Sequence, residues 1–109
     1  MTAQWLPRYL LIYSSTEQAR EKVPELFPAH QAYADRFRCE YPGVLLLLGP
    51  VQDAAPGEFG ALGVFTDKDA AERFAAADPF VVDGAVTDWT VRTWLWSGEQ
   101  VDETSRNQQ

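Results

Sequence analysis

The chain has 109 residues, 46% of them apolar, which is enough for one modest core and too few for two domains. Sixteen acidic against nine basic residues leave a formal charge of −7, and that balance argues against nucleic acid or an anionic membrane surface as a partner. The single cysteine, Cys39, cannot close an internal disulfide, and the apolar run Tyr9 to Tyr13 is too short for a signal or a membrane span. A soluble, cytoplasmic protein is therefore expected.

In chain order, residues 1–7 read as an N-terminal extension and Arg8 to Ser14 as a first strand, short and rich in aromatic and aliphatic side chains. Thr16 to Val23 is charged and can hold a helical turn, whereas Pro24 and Pro28 oppose one continuous helix from Glu17 to Tyr41. The main helix is expected to start near Pro24 or Leu26. From there Leu26, His30, Tyr33, Phe37 and Tyr41 recur at steps of three and four, along one face. Pro42-Gly43 ends it, and the aliphatic run Val44 to Leu48 reads as a buried strand closed by Gly49-Pro50. A loop from Gln52 to Gly57 leads to a third strand, Phe59 to Phe65. Gly57, Gly60 and Gly63 recur there without forming a dinucleotide fingerprint. Thr66 or Asp67 caps a second helix, with Ala70, Ala71, Phe74, Ala77 and Asp78 on its inner side and Pro79 at its end. After Asp83-Gly84, Thr87 to Trp96 alternates as a fourth strand; residues 97–109 are polar and read as a mobile tail.

The order β-α-β-β-α-β over residues 8–96 is the ferredoxin-like arrangement, an α+β domain with two helices on one face of a four-stranded antiparallel sheet. The first strand is apolar on both faces, with Leu10 and Ile12 opposing Tyr9, Leu11 and Tyr13, and the fourth carries tryptophan on both faces. Two helices cannot cover both sides, so a second copy of the chain is the expected partner, its sheet packed against this one. A ligand groove on the free face is the alternative.

No P-loop, CxxC, HExxH or GxSxG motif is present. One histidine and no cysteine cluster supply no ligand set for a metal or haem, so no cofactor is expected. His30, the single histidine, falls on the apolar helix face, where a hydrogen-bonded core residue and a functional base are both open readings. Asp78 shares the inner side of the second helix and sits in its last turn, where the helix dipole disfavours a carboxylate and favours a cationic neighbour such as His30. An Asx turn within Asp78-Pro79-Phe80 competes with that reading. If the two meet, the carboxylate fixes the imidazole tautomer and makes it a general base. Ser14, Ser15, Tyr13 and Tyr33 are the hydroxyls that could join; Arg8 and Arg92 could hold a carboxylate substrate, and Cys39 reads as a small hydrophobe. Trp5, Trp89, Trp94 and Trp96 read as core or interface.

Pro28-Ala29-His30, Leu48-Gly49-Pro50, Asp78-Pro79-Phe80, Gly84 and the tryptophan-bearing last strand together resemble the YCII-related family. The resemblance implies a dimeric α+β barrel, a His30/Asp78 pair as active site, and proton abstraction or elimination on a small cyclic acid or lactone, as in muconolactone isomerase and a chloromuconolactone dehalogenase of related fold. The substrate-binding candidates are Arg8, Ser14, Tyr33, Gly49, Pro50 and Phe80, with Gly49 leaving room beside the backbone. A non-catalytic dimeric module for a small ligand and a cofactor-free oxygenase are the competing readings.

Overall fold

A computed structural model describes residues 5–55 and 58–97. Gly57, residues 1–4 of the expected extension and residues 98–109 of the expected tail lie outside the described residues. The chain forms β1 (Leu6–Ser14), α1 (Glu17–Arg20), α2 (Val23–Glu40), β2 (Leu45–Pro50), β3 (Phe59–Phe65), α3 (Lys68–Ala77), α4 (Pro79–Val82) and β4 (Asp88–Trp96). The sheet is antiparallel in the order β2-β3-β1-β4, and the long helices α2 and α3 lie on one face of it. The α+β ferredoxin-like expectation holds.

Local chemistry explains most boundaries. The charged segment after β1 forms the one-turn α1, capped where the Thr16 hydroxyl accepts from Ala19 N–H. α2 begins at Val23 with Pro24 in its first turn, where a missing N–H costs nothing, and it passes through Pro28. Pro24, whose carbonyl Pro28 leaves without an i−4 donor, is exposed, so water can serve it. β1 starts two residues earlier than the composition suggested, since Leu6 and Pro7 pair with Trp96 and Leu95.

Strand alternation sorts the side chains. Tyr9, Leu11 and Tyr13 oppose Phe65, Gly63 and Ala61 on β3, and Thr93, Val91 and Trp89 on β4, on the helix-covered face. Phe37 of α2, Phe65 of β3 and Phe74 of α3 meet there with ring centroids 5.1 to 6.0 Å apart, two of the three contacts edge-on. Leu11, Ala71 and Ala75 close the gaps between them. Gly63 is required by this packing: a Cβ there would lie 3.0 Å from Phe65 Cε1 and 3.2 Å from Leu48 Cδ1.

Several expectations need correction. The run Val44 to Leu48 is not a buried strand: β2 is an edge strand with a register shift between Leu45 and Leu47, and Leu46 and Leu47 are exposed. On α2 the buried set is His30, Ala34 and Phe37, while Tyr41 faces solvent. Cys39 is exposed and is not a core hydrophobe. Ala77 is exposed too, because α3 turns Ala70, Ala71, Phe74 and Ala75 inward instead. No helix among the described residues is long and apolar enough to cross a membrane.

Candidate active site

Asp78 is not in the last turn of α3. It caps that helix in an extended conformation, φ −64° and ψ 128°, the conformation a following proline imposes. Extended backbone carries the chain into α4 and turns the side chain into the core, where Asp78 has no exposed surface. The expected penalty from the end of α3 is therefore replaced by a favourable contact: Phe80 N–H donates to Asp78 Oδ1 at 3.0 Å, the Asx arrangement at the start of α4.

The same oxygen meets His30 Nδ1 at 2.8 Å, so the Asx turn and the His30 contact coexist rather than compete. On the other side Tyr13 O–H donates to Asp78 Oδ2 at 2.6 Å. An ionised carboxylate only accepts, and a main-chain N–H and a phenol already donate to this one. Nδ1–H as the third donor completes the set. The network thereby assigns the neutral imidazole's proton to Nδ1 and its lone pair to Nε2, which has no hydrogen-bond partner among the described residues. Phe80 stacks on the His30 ring with centroids 4.1 Å apart and planes 12° apart, and Phe74 meets it edge-on at 6.4 Å. These contacts fix the ring's orientation as the carboxylate fixes its tautomer.

His30 lines a cavity of about 330 Å³ between α2 and the edge strand β2. Val23, Phe27, His30, Gln31, Ala34 and Arg38 form its helical wall, and Leu48, Gly49 and Pro50 face them, with Tyr13, Ala61 and Phe80 also lining it. An adjoining hollow of about 350 Å³ shares Tyr13, Val23, Pro50, Ala61 and Phe80 and adds Ser15 and Arg20. Burial raises the Tyr13 phenol well above its ordinary value of 10, and the charge and hydrogen bond of Asp78 raise it further. Tyr13 thus stays a donor to Asp78 through the whole ordinary pH range.

Of the residues singled out by sequence, His30, Asp78, Gly49, Pro50 and Phe80 come together around this cavity or directly behind it. Three do not. Tyr33 donates its hydroxyl to the Phe74 carbonyl at 3.0 Å and its ring lies 5.0 Å from that of Phe74, so it ties α2 to α3 outside the cavity. Burial, with Asp78 adding, pushes its phenol up to about 12. Arg8 and Ser14 occupy the even positions of β1 and so the opposite sheet face, where Arg8 lies 5.6 Å over the Trp96 ring. Arg92 shares that face. Gly49 lines the cavity through its backbone, but a Cβ there would meet nothing within 4 Å, so lack of space does not explain the glycine. Tyr13 is the site residue that sequence reasoning left in a group of four hydroxyls. Its odd position, on the face of Leu11, was the available signal.

Comparison with known proteins agrees with this architecture. The structure is similar to 5-chloro-2-hydroxyhydroquinone dehydrochlorinase (TftG) from Burkholderia phenoliruptrix AC1100, solved in complex with 2,5-dihydroxybenzoquinone, with a TM-score of 0.62 and 18% identity over 80% of this chain and 92% of that one. A conserved protein from Methanosarcina mazei Go1 matches with a TM-score of 0.51 and 12% identity, over 83% of this chain and 92% of its own. SnoaB, a cofactor-independent oxygenase from Streptomyces nogalater, matches with a TM-score of 0.43 and 12% identity, over 93% and 100%. At such identities the likeness to the first two is one of fold. No curated protein matches the chain. The model of the YCII-related domain matches residues 8–95, nearly all of the described structure, and the chain belongs to that family.

Proposed function

We propose that the protein is a small-molecule enzyme in which Nε2 of His30 is the general base and Asp78 is the residue that positions it. The observation that carries the reading is the contact between a fully buried carboxylate and Nδ1 of a histidine that lines a cavity, 2.8 Å apart. An imidazole oriented by a carboxylate accepts a proton at its free nitrogen, and such a group typically contributes 10²- to 10⁴-fold. The reaction class is proton abstraction from carbon. The C–H bond breaks, its proton goes to Nε2, and its electron pair forms a new double bond. Either an anionic leaving group departs with its bonding pair, which is elimination, or an adjacent double bond of the substrate shifts and takes the proton from Nε2 at its far carbon, which is isomerisation. The dehydrochlorinase among the structural neighbours names a reaction of the first kind.

The test pairs activity with spectroscopy. Turnover found in a screen of lactones, small cyclic acids and halogenated hydroxylated rings is expected to fall about 10²- to 10⁴-fold in His30→Ala, with the circular dichroism spectrum retained. Undiminished turnover in that variant would remove His30 from the chemistry. Independently of any substrate, ¹⁵N resonances of the neutral ring should report the Nδ1–H tautomer in the wild type and a mixture in Asp78→Asn.

We propose also that a second copy covers the open sheet face. On that face Leu47 of β2 is 67% exposed, and Trp94 and Trp96 of the opposite edge strand β4 are 46% and 40% exposed, with Leu10, Ile12, Leu62 and Val64 half-buried between them. An apolar surface of this kind on an acidic chain supports association through the sheets.

A further inference from the structure

The stripe of α2 that walls the cavity runs Val23, Phe27, His30, Gln31, Ala34, Arg38. Arg38 stands two turns beyond His30, about 12 Å farther along the axis at 1.5 Å per residue. Helical side chains lean toward the N-terminus, and the Arg38 side chain lines the cavity from the C-terminal end of this stripe. Ala34, buried and small, lines the cavity one turn after His30 and one turn before Arg38.

The neighbouring cations are otherwise placed. Arg20, in the adjoining hollow, donates from Nη1 and Nη2 to the Ala54 and Ala55 carbonyls at 2.9 and 2.8 Å, so its guanidinium already holds the loop after β2. Arg8 and Arg92 are on the other sheet face. Arg36 is exposed and lies about 200° around the helix from Arg38. Arg38 itself has one carboxylate neighbour among the described residues, Asp35 Oδ1 at 3.7 Å, and both side chains are about half exposed or more. Solvent screens such a pair, and a ligand carboxylate bound bidentately displaces it. The other lining residues offer flat and aliphatic surface: Phe27 and Phe80 beside the imidazole, with Leu48 and Ala61 across from the helix. In a chain of charge −7 an anion entering this cavity needs a local cation, and Arg38 supplies it.

We propose that the cavity takes a planar, single-ring carboxylate, its anionic group paired with Arg38 and its ring lying against Leu48, Ala61 and Phe80 with the far edge turned to His30. The placement of the ring edge rests on the acid–base reading above; the charge recognition at Arg38 does not.

Benzoate and its neutral counterpart benzamide are suitable probes, titrated into the full chain at low ionic strength while the Leu48 and Gly49 amides are followed by NMR. The wild type is expected to bind benzoate about tenfold more tightly than benzamide, the scale of one charge-assisted bidentate pair. Arg38→Gln should abolish the preference and leave benzamide binding unchanged, whereas Arg36→Gln, the same charge change on the far side of α2, should leave the preference intact. A wild type without preference, or one whose preference survives Arg38→Gln, would overturn the assignment. So would a preference that disappears in His30→Gln instead, since the anion would then sit on the imidazole. Loss of both probes in Arg38→Gln would also overturn it, by making Arg38 a wall rather than a charge. None of these outcomes depends on turnover, so failure here and failure of the acid–base reading remain distinct.

Discussion

Tyr13→Phe removes one oxygen from the centre of the site and leaves the ring in place, so its effect can be worked out at two pH values. At neutral pH the variant deprives Asp78 Oδ2 of its donor at 2.6 Å, in a side chain with no exposed surface. A hydrogen bond to a charged group contributes roughly 1.5–3 kcal/mol, and about 2 kcal/mol is expected here because Phe80 N–H and His30 still hold the other oxygen. Above pH 10 the comparison changes. The folded protein keeps the Tyr13 phenol protonated because its value is raised well above 10 by burial and by Asp78, while the unfolded chain releases that proton at its ordinary value. The unfolded state then binds fewer protons, so wild-type stability falls as pH rises, by about 1.4 kcal/mol at pH 11 and about 2 kcal/mol at pH 11.5 from this group alone. Phenylalanine has no such proton. The two proteins should therefore differ by about 2 kcal/mol at pH 7 and converge near pH 11.5. Urea unfolding at pH 7, 9, 10.5 and 11.5 measures this. A difference that stays constant across the series would refute the reasoning, since the buried donor would then be ionising in the folded state as it does in the unfolded one.

Gly63→Ala is expected to cost about 1–3 kcal/mol, because the new methyl meets Phe65 Cε1 at 3.0 Å and Leu48 Cδ1 at 3.2 Å in a filled core. Gly49→Ala, with nothing within 4 Å of its Cβ, should leave the thermal midpoint within a degree or two of wild type, and equal midpoints for the two variants would contradict the packing. Light scattering should give twice the chain mass of 12.3 kDa for the wild type. Leu47→Glu should shift it toward the single-chain value, whereas a wild-type monomer at high concentration would sink the sheet-to-sheet dimer.

Periodicity carried the fold because each element obeys its own period over most of its length. The alternation of β1 and β4, the three-and-four spacing around His30 and Phe37, and the turns at Pro42-Gly43 and Gly84 required only local rules; both glycines indeed adopt positive φ, 78° and 86°. What local rules missed is where neighbours decide. Leu46 and Leu47 are as apolar as Leu45, and only the sheet order, which puts β2 at an edge, exposes them. Asp78 shows the other side of the same point. Continuing the helical phase of α3 by one residue put it inside for the wrong reason; the chain leaves the helix at that residue because Pro79 forbids it to continue. The dipole argument for a cationic partner fails with it, and a different requirement takes its place. A carboxylate with no access to water needs several donors at once, and the helix-covered face of β1 holds one phenol next to the turn that leads away from the strand. Tyr13 sits there at an odd position, with Leu11, while Arg8 and Ser14 sit at even ones. Counting the donors that a buried acid requires, and seeking them on the covered parity of the adjacent strand, separates Tyr13 from Arg8 and Ser14 on sequence alone. The same count explains why His30 cannot be exchanged for an apolar residue at no cost: it would leave Asp78 with a main-chain N–H and a phenol as its remaining donors, and the Nδ1 contact that orients the cavity's one imidazole would be gone.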